Sequence, residues 1–193
     1  RLNMRALEQT RRETHVTNIQ ESSRLQKERL MARIKQSKSH RHERLQTRLA
    51  ARAKVKRAKA LEKCEAFASL DATSISKIVD TMDYKELQGE ICREGDPARH
   101  LYVIVEGSCD VSIQGKHVAK LGELSVFGES AIFAENATRN ATVTGKVKVL
   151  EMSRSKWNSL LASGMLSPAC VATLRAAREA RTQMNTKLGV RKV

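Results

Sequence analysis

The chain has 193 residues, 40% of them hydrophobic, and a formal net charge of +15, which leaves room for one domain of ordinary size and further material. Its four cysteines form no C-x-x-C pair and its five histidines are off zinc-finger spacing, so no metal site is expected and the scattered thiols point to a reducing, cytoplasmic compartment. No apolar run approaches the ~20 residues of a membrane span. The first 88 residues hold neither Gly nor Pro, and residues 1–60 carry 18 basic residues against 5 acidic ones, a net +13. The remaining residues carry 18 against 16, so the basic character belongs to the N-terminal third. Residues 1–57 are rich in good helix formers and predict one long helix, or two broken near Ser37–His42. Its apolar positions are sparse, with Leu30/Ile34 and Leu45/Leu49 as i,i+4 pairs and no sustained heptad.

From residue 58 to 193 a second unit is expected. Leu61, Phe67, Leu70, Ile75, Ile78, Val79 and Met82 suggest two short helices, with Asp71 or Thr73 capping the second. Gly89 marks the switch to strands. Leu101–Val105 suits a buried strand, Gln114-Gly115-Lys116 a turn, and Ala141–Leu150 alternates again. Glycines recur through residues 88–152 at the spacing of a jelly-roll barrel. Trp157 and Leu160/Leu161 open helical periodicity, Pro168 restarts it, and helices are expected over 154–187. The fold class is therefore α+β: an antiparallel β jelly-roll barrel flanked by helices, preceded by a long helix.

Residues 127–142 carry the chemistry. Gly128 lets the backbone approach a ligand. Glu129 can accept from sugar hydroxyls, and Ser130 and Ala131 open a helical turn whose free N–H groups favour an anion. Arg139 can fork onto phosphate oxygens, and the backbone N–H groups of Asn140 and Ala141 can reach the same phosphate. The Asn136-Ala-Thr138 and Asn140-Ala-Thr142 glycosylation patterns are read as chance.

This segment resembles the phosphate-binding cassette of the cyclic nucleotide-binding domain family. The likeness extends to Glu94-Gly95-Asp96, to Leu101-Tyr102-Val103-Ile104-Val105-Glu106-Gly107 and to Lys120-Leu121-Gly122, over roughly residues 56–185. It implies cAMP or cGMP as ligand, with no other cofactor, held by Gly128, Glu129, Ser130, Ala131, Arg139, Asn140 and Ala141. A Thr after the cassette Arg favours guanine in the family. Asn140 stands there and can donate and accept, which leaves cAMP against cGMP open. The family closes the site with an apolar or aromatic residue of its C-terminal helix. The candidates are Leu174, Met184, Leu188 and Val190.

No triad or paired carboxylates with supporting context occur, so no enzyme activity is expected. The basic segment reads as a stripe that steers toward an acidic protein surface, such as a cytoskeletal or ciliary assembly. Nucleic acid and membrane are disfavoured as partners, for want of base-reading motifs and of a broad apolar face. The resulting reading is a cyclic-nucleotide sensor module anchored through a basic helix. A structural scaffold subunit with a ligand-free domain is the alternative. Arg11-Arg12-Glu13-Thr14 also resembles a kinase-directed motif, which admits a kinase regulatory subunit-like inhibitor. The chain begins with Arg rather than Met and is read as a piece of something longer.

Overall fold

A computed structural model describes residues 2–187 and Gly189, with side chains from Glu21 onward. Helix α1 runs unbroken over Leu2–Lys63, with no interruption near Ser37. Two compact units divide within it, Arg1–Arg52 and Ala53–Val193. In the first unit every described side chain, from Glu21 to Arg52, is exposed.

The second unit begins with the last turns of α1, which are fastened by side chains. Lys54 pairs with Asp80 at 2.6 Å, Arg57 lies 4.0 Å from the centre of the Tyr84 ring, and Leu61 is fully buried. Lys56 and Lys148 both reach Glu106, and their hydrogen bonds hold its carboxyl down at about 2. A 3-10 turn, Glu65–Phe67, leads to α2, Ala72–Thr81. Asp71 caps α2, accepting from Thr73 N (2.8 Å) and Ser74 N (3.0 Å).

The strands are β1 Asp83–Cys92, β2 His100–Ile113, β3 Lys116–Leu121, β4 Val126–Phe127 and β5 Thr142–Ser153. They make one antiparallel sheet in the order β1-β5-β2-β3, with β4 on β2. Gly89 lies inside β1 rather than at its start. This strand is almost wholly exposed, so it has none of the apolar alternation that would mark its beginning.

Strand β2 serves two cores, because its side chains alternate between faces. Leu101, Val103 and Val105 face the helices and join Leu61, Phe67, Ile75, Ile78, Leu150, Met152 and Trp157. Tyr102 and Ile104 face the barrel interior with Val147 and Val149. A register shift between Ile104 and Glu106 then reverses the phase, and Cys109 and Val111 face inward. That bulge lets a 14-residue strand keep its apolar side chains buried on both stretches.

Between β4 and β5 lies the short α3, Ser130–Phe133. Helix α4, Arg154–Ala162, is capped by Ser153, and α5, Pro168–Lys187, follows. Trp157 of α4 is buried and meets Phe133 edge-on, with ring centres 6.0 Å apart. Cys170 and Leu174 of α5 are fully buried in the helix-side core. Leu174 therefore packs and does not close a site. Leu174→Ala is expected to lower the free energy of unfolding by about 2–5 kcal/mol, measured by denaturant titration.

Candidate functional site

The site starts at a loop that pins a backbone. Gly95 N donates to Arg139 O at 2.9 Å, and Arg139 N donates to Asp96 O at 2.7 Å. Pro97 and Thr138 form an antiparallel bridge, and Ala98 N donates to Ala137 O at 2.7 Å. The Glu94-Gly95-Asp96 turn thus fixes where Arg139 leaves the chain.

The Arg139 side chain turns into the protein and is 8% exposed. Its Nη2 donates to His100 O at 3.0 Å, and its guanidinium lies 5.3 Å from the centre of the Tyr102 ring. Tyr102 is held by stacking on Phe127, at 4.9 Å and 21°. Arg139 Nη1 is buried and has no hydrogen-bond partner among the described residues. A buried charged donor left unpaired is costly, so this nitrogen marks where an anion would be stabilised.

Gly128 makes room for that arrangement. Its φ is +82°, a left-handed value that glycine adopts freely. A Cβ there would lie 2.5 Å from Arg139 Nη1 and 2.7 Å from His100 O.

Glu129 follows at the start of α3 and is 5% exposed. Its carboxylate is paired with Arg181 of α5, whose Nη2 also donates to Val126 O at 2.7 Å. Burial pushes the Glu129 carboxyl up from its ordinary value, and the charge of Arg181 works against that rise. The far end of α3 is held by Arg154 of α4, which donates to Ala131 O at 2.7 Å and to Ala134 O.

Gly128, Glu129, Arg139 and Arg181 line a cavity of about 240 Å³. The barrel supplies its apolar wall, including Val111, Ile113 and Leu121, and α5 supplies Arg178, Arg181, Thr182, Met184 and Asn185. Of the residues singled out in the sequence, Gly128, Glu129, Ser130, Arg139, Asn140 and Ala141 all line it. Ala131 does not line it. Its side chain is fully buried, and its N–H donates to Gly128 O at 3.0 Å. Among the closing candidates Met184 lines the cavity and is 61% exposed. Leu188 and Val190 lie outside the described residues.

Residues 88–163 match the family model of the cyclic nucleotide-binding domain. The barrel region thus resembles a cyclic nucleotide-binding domain. Among relatives of this domain, the Drosophila melanogaster "cGMP-dependent protein kinase, isozyme 1" is 36% identical over 91 residues, 46% of this chain and 11% of that protein. The Debaryomyces hansenii "cAMP-dependent protein kinase regulatory subunit" is 34% identical over 96 residues, 49% of this chain and 21% of that protein. The chain thus spans a small part of either relative. Among solved structures of the fold, cAMP-bound PfPKA-R (141–441) superposes with a TM-score of 0.64 at 19% identity, covering 75% of this chain and 50% of that one. At that identity the likeness is one of fold.

Sequence reasoning missed Arg181 and Arg178, which line the cavity. They sit in a helix rich in Arg and Ala, where nothing local tells which cation faces the barrel. Arg181 is the tie between the second half of α5 and the cavity rim. Arg181→Ala is expected to speed amide hydrogen exchange across residues 178–187, while Cys170–Leu174, anchored in the core, exchanges as before.

Proposed function

We propose that this chain is a non-enzymatic cyclic nucleotide sensor module, binding cAMP or cGMP in the barrel cavity and docked on a larger assembly through its basic helix. The observation that carries this reading is Arg139, a residue that lines a cavity of about 240 Å³ and whose buried Nη1 has no partner among the described residues. The cyclic phosphate sits at Arg139, with the backbone of Asn140 and Ala141 alongside, and a ribose hydroxyl donates to Glu129. The apolar barrel wall takes the sugar and base edge. Ligand engagement at Glu129 competes with or recruits Arg181, and this biases the position of α5.

One observation favours a second reading. Arg181 already satisfies Glu129, as expected of a domain closed by its own helix and serving as a ligand-free packing block. Calorimetric titration with both nucleotides separates the two readings. In the sensor reading Arg139→Ala loses roughly 30- to several-thousand-fold in affinity, as expected when one partner of a buried charge-assisted contact is truncated. Glu129→Ala loses less, because its ligand partner is a neutral hydroxyl. Arg139→Lys recovers part of the loss, since an ammonium cannot fork onto two oxygens. Asn140→Ala shifts the cAMP/cGMP ratio more than the total affinity. In the scaffold reading the parent takes up neither nucleotide.

The docking role of α1 rests on its charge. Residues 1–60 carry a net +13, far beyond what solubility needs. Association with an acidic protein partner is expected to weaken steeply between about 50 and 200 mM salt, measured by sedimentation. Association indifferent to salt would contradict an electrostatic anchor.

A further inference from the structure

We propose that α1 docks through one face, which carries Leu30, Ile34, Leu45 and Leu49, and that the occupant of this face is an acidic, leucine-bearing helix of a partner protein. The inference rests on the reading of α1 as a docking segment, and names the face and the partner's chemistry.

At 100° per residue, Leu30, Met31, Ile34, Leu45 and Leu49 fall within an arc of about 100°. Their exposures run from 41% at Ile34 to 67% at Met31. Over residues 21–52 the same arc holds Lys27, Lys38, Arg41, Arg48 and Arg52, and no acid. The acids of this stretch, Glu21, Glu28 and Glu43, lie about 160–220° round from Leu30, on the opposite side. Over residues 21–52 the carboxylates are thus kept off the face that carries most of the apolar side chains, while Leu25 and the cations Arg24, Arg29, Arg33, Lys35 and Arg44 lie outside that arc.

That sorting selects the occupant. In a membrane-bound helix the cations stand apart from the apolar stripe. Here Lys38 and Arg41 are interleaved with it and would be drawn toward the acyl region. A nucleic acid would satisfy the cations and leave the Leu and Ile side chains in water. A second copy would set one cationic face against another. An acidic helix meets both requirements. The Leu30/Ile34 and Leu45/Leu49 pairs are fifteen residues apart, about 22 Å along the helix, with Lys38 and Arg41 between them. The partner surface therefore offers two apolar patches with carboxylates between.

The test uses the full chain and a labelled, Glu-rich synthetic helix of about 30 residues, long enough to hold helical structure, with Leu pairs at the same interval. A second version carries Gln for each Leu. Fluorescence anisotropy is expected to show binding to the Leu version tenfold or more tighter than to the Gln version, and Leu30→Gln with Leu45→Gln is expected to abolish that margin. Lys38→Gln with Arg41→Gln is expected to weaken binding several-fold more than Ser39→Glu with Gln46→Glu, which removes the same net charge from the opposite side. Circular dichroism checks that each variant keeps its helix. If both peptides bind alike, or both charge pairs weaken binding equally, the face is overturned while electrostatic docking stands. If neither peptide binds, both are overturned. Tighter binding to vesicles with one lipid in five phosphatidylserine, or to duplex RNA, would also overturn it.

Discussion

The half-satisfied guanidinium of Arg139 is the constraint on which the site depends. A charged side chain this deeply buried needs partners, and the described residues give it one carbonyl, one aromatic face and nothing at Nη1. Each neighbour is committed to that arrangement. The Gly95–Asp96 turn grips the backbone of Arg139, β2 supplies His100 O and Tyr102, and β4 supplies Phe127 behind Tyr102. Gly128 leaves out the Cβ that would otherwise fill the space. These contacts together fix the position of the guanidinium.

Glu129 is the counterweight. Burial opposes its charge, and Arg181 offsets that opposition from a helix whose first half is embedded in the other core. The cavity rim and α5 are thereby coupled through one ion pair. Any hydroxyl that engages Glu129 acts on a contact that also positions the second half of α5. Leu174 and Cys170, further back, are fixed in the core and give that half a firm root.

The parts that were readable in the sequence are those where a residue's role is local. Gly128, Glu129 and Arg139 lie within a dozen residues, and the backbone and side-chain chemistry each needs is intrinsic to its type. The strand alternation, the Asp71 cap and the Pro168 restart were legible for the same reason. What escaped depends on tertiary packing. Strand β1 exposes most of its side chains, so its start at Asp83 leaves no apolar signature. The choice of Arg181 as the partner of Glu129 depends on how α5 packs, which its local sequence does not reveal. Leu174 looked as suitable for closing the site as Met184, and only packing shows the first in the core and the second beside the cavity. Ala131 looked equivalent to Ser130, but the one-turn α3 directs its side chain inward.

The most direct test of the account is a crystal structure of the chain grown with saturating cAMP or cGMP. The account predicts one nucleotide in the barrel cavity, a phosphate oxygen within hydrogen-bonding distance of Arg139 Nη1, and a ribose hydroxyl on Glu129. A cavity empty under both nucleotides, or a nucleotide whose phosphate lies away from Arg139, would contradict it.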